Sequence, residues 1–340
     1  MFVVRPVELA DIPALESLAN LAASGVHTLP RTPENLERMV QRSIASFAAQ
    51  VEIQSEEAYM FALEQQDENG KVVVGSATIF ATAGTNGTYF AFRNDVVQQV
   101  SRDLNISHSV HALTLCSELT ASSQLSSFFM RDREASDQAA LLSRARLLFA
   151  AIAPQRFGDR FFVSLAGISD AEGQSPFWDA LGRKFFQMDF LTAERAVEGA
   201  RNRTLIVELM PHYPVYVPLL PAAAQAALGQ IHPEGELPFA MLSAEGFEAD
   251  EYIDIFDGGP ILQAHRDSLR TIQQAQRVQL ASNEDLPGAY EQYLVGNARE
   301  HEFRAICAAA CLVGERLLIS QTDMQVLALQ PGDEVICVKL

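Results

Sequence analysis

SSFFMRDREASDQAALLSRARLLFAA, residues 126–151, decides the architecture. SSFFM reads as a strand, and DQAALLSRARLLFAA carries apolar residues at helical spacing. A strand feeding a long helix is a junction where many α/β folds hold an anion on bare backbone N–H groups. Glycines usually line that loop, because a missing Cβ lets the amides come close. Here the loop has no glycine, and Glu134 and Asp137 put negative charge where a phosphate would lie. Asp137 reads instead as the N-cap of the helix, with Arg131 and Arg133 as the only nearby compensation.

Working outward, FVVRP reads as a first strand and Asp11 starts a helix with Pro13 in its first turn. A second helix begins near Thr32-Pro33. YMFALEQ and VVVGSATIFATA read as strands joined by the turn QDENGK, and residues 86–122 as a strand pair inserted in the sheet. After the junction come the strand RFFVSLAGIS and a helix SPFWDALGRKFF, capped at Ser175 and ended by Gly182. TLIVELM reads as a strand, PAAAQAALGQ and LPFAMLSAEGF as helices, and DEYIDIFDGGP as a strand with a tight turn. Beyond residue 275 short strands dominate, which predicts a 1–275 domain and a small β-rich C-terminal module over 276–340. The fold class is α/β (α+β): a largely antiparallel mixed sheet flanked by helices, with one parallel junction whose strands splay.

The chain has 340 residues, more than the roughly 250–300 at which one core stops growing. Hydrophobic content of 48% with 20% charged residues is globular, and a net charge of −18 disfavours nucleic acid and anionic membrane as partners. No apolar run spans a bilayer, and MFVVRPVELAD turns acidic too early for a secretion signal, so a cytoplasmic setting is expected. Cys116, Cys307, Cys311 and Cys337 lack zinc-ligand spacing and read as buried thiols.

The element order resembles the GCN5-related N-acyltransferase fold. SPFWDALGRKFF, ELMPHYPVYVPLLP, GQIHP and YIDIFDGGP together resemble the arginine N-succinyltransferase family, and VRPVELAD and the FRN segment extend the likeness over most of the chain. Within it, FRND, HALTLCSELT and MPHYPVYVPLLP are most similar to the alpha subunit of the two-subunit arginine/ornithine enzyme. The resemblance implies transfer of a succinyl group from succinyl-CoA to the α-amine of arginine or ornithine. It implies no permanently bound cofactor and no metal, with succinyl-CoA as co-substrate. A homologous beta-type subunit or a homo-oligomer is the implied partner. The alternative is a non-catalytic partner subunit, favoured by the altered loop. Where the acyltransferase pattern has a basic residue or glutamine, then glycine, then glycine or alanine, this chain has Glu134, Asp137 and Ala139.

The resemblance makes His232 the proton donor, in an extended loop biased by Pro233. It makes Ser127 the succinyl-CoA contact, through main-chain groups of Ser127, Phe128 and Phe129. Asp254 and Asp257 are candidate contacts for a cationic substrate, although Asp-Gly-Gly-Pro is good turn chemistry by itself. Arg93 is the candidate fork for the succinyl carboxylate. Glu118 and Asp170 are weaker candidates; His108, His111, Cys116 and Trp178 read as structural.

Overall fold

A computed structural model describes residues 1–21, 32–68, 70–170, 172–196, 208–282 and 289–340. The first strand, β1 (Phe2–Pro6), is followed by helices α1 (Ile12–Ala19) and α2 (Pro33–Ala48). Pro13 and Pro33 sit in their first turns, where a missing N–H costs nothing. Strands β2 (Ala58–Asp67) and β3 (Gly70–Phe80) form a hairpin, and β4 (Ala91–Ser101) and β5 (Ile106–Cys116) a second. Then come β6 (Ser123–Met130), α3 (Ser136–Ile152), β7 (Arg160–Ser164) and the short helix α4 (Pro176–Ala180). The two-residue β8 (Val215–Tyr216), β9 (Glu248–Ile253) and β10 (Pro260–His265) complete the main sheet. Its order is β1-β2-β3-β6-β7-β10-β9-β4-β5-β8.

The strands alternate between two covered faces. Phe61, Ile79, Leu125 and Met130 pack with Leu142, Ala145 and Phe149 of α3. Met60, Phe80 and Phe129 pack instead with Leu15 and Leu18 of α1 and Leu36 and Val40 of α2. The α3 side holds edge-on aromatic pairs, including Phe47–Tyr59 at 5.2 Å and Phe61–Phe149 at 5.5 Å. β2 runs past the end of β1, and the serines of α2 take its spare amides. Ser43 Oγ accepts Met60 N–H at 2.9 Å, and Ser46 Oγ accepts Ala58 N–H at 3.0 Å.

The C-terminal strands are β11 (Gln276–Ser282), β12 (Glu291–Asn297), β13 (Ala305–Val313), β14 (Arg316–Ile319) and β15 (Glu334–Lys339). β12 pairs with both β13 and β15, while β15–β11, β11–β14 and β14–β13 close the circuit into a five-stranded ring. Val278, Leu280, Val295, Ile306 and Leu317 fill it. One β1–β13 rung, Val4↔Ala305, joins the ring to the main sheet. Arg156 bolts it further: Nε bonds Glu300 at 2.6 Å, while Nη1 and Nη2 reach Ser46 O, Tyr59 Oη and Ala49 O.

Several local readings change. Among the described residues the main sheet has one parallel pairing, β6–β7, and the C-terminal ring adds another, β11–β14. Gly182 begins a second short helix (Gly182–Phe186) instead of ending the first, and it is glycine because a Cβ there would lie 2.2 Å from the Trp178 ring. α3 starts at Ser136 with no side-chain cap, so Asp137 lies inside the first turn and is not the N-cap. Of the cysteines only Cys337 is buried; Cys307 is exposed on the outside of the ring. The predicted strand TLIVELM lies outside the described residues over 204–207, and its next two residues, Glu208 and Leu209, are helical.

Candidate functional site

β6 and β7 run parallel and share only two rungs, Ser123↔Phe161 and Gln124↔Phe162. Beyond them β6 continues against β3 to Met130, while β7 stays with β10. The backbones of 125–130 and 163–164 therefore part, and no rung joins them among the described residues. A gap of this kind offers main-chain donors and acceptors to an extended ligand.

Ser127 sits at the register shift of β6 against β3 and has φ +51°. A non-glycine residue there is strained, and the bulge re-aims the backbone. Ser76 Oγ donates to Ser127 O at 3.2 Å, and the buried Ser127 Oγ has no partner among the described residues. Phe129 is buried toward α1 and α2, and Phe128 is half-buried toward α3. The three expected contact residues thus line the gap in a distorted strand, with the main-chain carbonyl of Ser127 accepting a side-chain hydroxyl.

His232 follows the helix Ala222–Ala227 and docks onto the chain just past β7. Its N–H donates to Ala166 O at 2.8 Å, Ile231 bridges Gly167, and Gly229 N–H donates to Gly258 O at 2.8 Å. Close packing makes this possible: a Cβ on Gly259 would lie 2.3 Å from Leu165 O and 2.6 Å from Gly167 N. The half-exposed imidazole caps the turn Pro233–Gly235, its Nδ1 accepting Glu234 N–H at 3.2 Å. An accepting Nδ1 leaves the proton of neutral imidazole on Nε2, the nitrogen free to meet a ligand. Glu234 in turn forms an ion pair with Arg133 from the loop after β6, so the two loops at the open end of the gap are tied together.

The other basic residue of that loop, Arg131, makes one long hydrogen bond, Nη2 to Val73 O at 3.3 Å. Arg133 also donates to Leu21 O. Arg133 is thus paired, whereas the exposed Arg131 forms no ion pair among the described residues, and Asp137 stands in the first turn of α3.

The carboxylate candidates are 7% and 8% exposed and turned inward. Asp257 accepts Gly167 N–H and Gly259 N–H, both at 2.8 Å. Asp254 accepts Phe256 N–H at 2.8 Å and the Ser164 hydroxyl at 3.0 Å. Both brace the segments on which the His232 loop docks, the chain past β7 and the turn at 254–259. Arg93 lies on β4, four strands from β6, about 19 Å across the sheet. Its fork is engaged by Asp95 at 2.8 Å and Glu118 at 2.5 Å, and Tyr252 Oη donates to Glu118 at 2.7 Å. The fork expected for a substrate carboxylate is thus closed by two protein carboxylates. His111 Nδ1 meets Asn94 Oδ1 at 3.0 Å on the same hairpin.

One buried cation escaped the reading of the sequence. Arg146, on α3, is 2% exposed, with its guanidinium carbon 5.3 Å from the Phe128 ring centre. The signal was present: Arg146 stands four residues after Leu142 and three before Phe149, on the apolar face. Its neighbour Arg144 points elsewhere, to Glu245 at 2.8 Å.

By class, this is a mixed α/β protein whose central sheet is parted at one parallel junction, with an imidazole and a cross-linked loop pair at the opening. Residues 2–271 match the family model described as arginine N-succinyltransferase beta subunit, and residues 276–339 that of its C-terminal domain. The arginine N-succinyltransferase subunit alpha of Pseudomonas aeruginosa is 45% identical over 307 residues, 90% of either chain. The subunit beta of the same organism is 37% identical, covering 99% of this chain and 98% of the other. An Escherichia coli arginine N-succinyltransferase is 34% identical over 100% and 98%. The solved structure of arginine/ornithine succinyltransferase subunit AI from P. aeruginosa superposes with a TM-score of 0.89 at 40% identity, over 100% of this chain and 98% of that one. The chain belongs to the arginine N-succinyltransferase family.

Proposed function

We propose that this chain, as an alpha-type subunit, transfers the succinyl group of succinyl-CoA to the α-amine of arginine or ornithine. The single observation that carries the reading, beside family membership, is the docking of His232 on Ala166 at the open end of the β6–β7 gap. In this reading the gap is that of a GCN5-related acyltransferase. The pantetheine arm lies along Ser127, Phe128 and Phe129 and takes main-chain hydrogen bonds. The neutral amine attacks the thioester carbonyl; the C–N bond forms, the C–S bond breaks, and the amine gives up one proton. Backbone amides at the Ser127 bulge stabilise the oxyanion. His232 is the proton donor: its Nε2–H hydrogen-bonds the departing sulfur, and the proton lost by the amine makes up the balance. Residues 1–275 form the acyltransferase unit, 276–340 a module for packing or assembly, and the setting is the cytoplasm.

The acidic start of α3 favours a second reading, a non-catalytic partner of a beta-type chain. Release of CoA thiol from succinyl-CoA, with arginine and with ornithine, separates the two. Turnover by the purified chain, abolished in His232→Ala, supports catalysis. Silence of the chain alone, with activity on adding a second succinyltransferase chain that survives His232→Ala, supports the partner role.

A further inference from the structure

We propose that Arg146 is the counter-charge for the terminal carboxylate of the transferred succinyl group; this rests on the succinyl-transfer reading above. The contrast with Arg156 carries the argument. Both guanidiniums are 2% exposed. Arg156 is fully answered, by Glu300, Tyr59 and two backbone carbonyls. Among the described residues Arg146 has a single long hydrogen bond, Nη2 to Ser143 Oγ at 3.3 Å, and its buried Nε has no partner. No carboxylate pairs with it among the described residues, and burial alone pulls its pKa down to about 9. A charge buried without a counter-ion is strongly destabilising. Local rules are broken in this way chiefly where a ligand completes the set.

The position selects the ligand. α3 returns along β6 after the loop at the open end. Arg146 is ten residues beyond Ser136, about 15 Å down the helix from its start. The residue it stacks on, Phe128, belongs to the part of β6 that lines the gap and is itself half-buried. A CoA pyrophosphate would remain outside, near the start of α3. The group that travels deepest along the gap is the acyl chain, and the anionic end of a succinyl chain is a carboxylate. The planar guanidinium matches it with two parallel hydrogen bonds. Arg93, by contrast, already has two carboxylates.

The test compares succinyl-CoA with butyryl-CoA, the same four-carbon chain without the carboxylate. Calorimetric binding of each donor and of free CoA is measured on the full chain, wild type and Arg146→Met. It is followed by kcat/KM for both donors wherever turnover is found. The expected result is a fall of about 100-fold in the succinyl-over-butyryl preference, unchanged affinity for free CoA, and a raised Tm because an unanswered buried charge is gone. Arg146→Lys recovers part of the preference. An unchanged preference, or an equal loss on both donors, overturns the proposal. A loss of free CoA affinity also overturns it, by assigning Arg146 to the CoA phosphates. A wild type that binds CoA but never prefers succinyl-CoA defeats the succinyl-transfer reading itself, and this proposal with it.

Discussion

Arg133 and Glu234, 101 residues apart in the chain, form an ion pair that ties the loop after β6 to the loop of His232. The pair is 47% and 19% exposed, so its worth to overall stability is small, within about 1 kcal/mol. Its value is positional, because Glu234 also donates its N–H to the imidazole. Glu234→Ala and Arg133→Ala are expected to move Tm by less than about 3 °C. Each lowers kcat/KM for succinyl-CoA about 10-fold or more, since small misplacements are costly in catalysis. The double swap Arg133→Glu with Glu234→Arg should regain part of the rate. Full wild-type kinetics in both single variants would show that the tie has no functional role.

Ser127 holds φ +51° with a hydroxyl that bonds none of the described residues. Ser127→Gly is expected to stabilise the chain by up to about 1 kcal/mol, read from urea denaturation, since glycine accepts this backbone freely. Ser127→Ala should leave turnover nearly intact, as only the main chain is asked to act. A large loss of activity in Ser127→Ala would assign a role to the hydroxyl.

Asp257 accepts two buried amides, one from each segment that supports His232. Asp257→Ala leaves both unanswered and should cost about 2–4 kcal/mol. Asp257→Asn keeps one acceptor and should cost less. If Asp257 instead meets the amino-acid substrate, the KM for arginine rises with Tm unchanged, and thermal melts beside steady-state kinetics distinguish the cases.

Glu64 gives the acid limb of stability a named contributor. Burial works to raise its carboxyl, but hydrogen bonds from Gln66 at 2.7 Å and Arg5 at 2.8 Å outweigh that and hold it below 4.5. A depressed carboxylate contributes stability that is whole above about pH 4.5 and is lost as pH falls through the folded value. Glu64→Gln is therefore expected to flatten the decline of Tm below pH 4.5. An identical decline in both proteins would remove Glu64 from the account.

Much of this was readable locally. Pro13 and Pro33 marked helix starts, Ser175 capped α4 through Trp178 N–H, and Gly246 ended its helix at φ +107°. Those signals act within a few residues. Gly182 misled because its reason is an indole ring four residues back, a matter of space and not of backbone freedom. Asp137 misled because an acidic residue suits a first turn as well as a cap. The pairing of β13 with β1 and the tie between Arg133 and Glu234 join residues 100 or more apart, and no local spacing encodes them. The site followed the same division. His232 is a candidate that its motif nominates, whereas the saturation of Arg93 and the isolation of Arg146 depend on what folding brings beside them.

The circuit β12-β15-β11-β14-β13 returns to its own first member. A closed circuit has no free margin on which a stray extended peptide can crystallise as one more strand. The C-terminal part of this chain should therefore resist seeding fibrils even when concentrated, and any tendency to do so must begin elsewhere in the molecule.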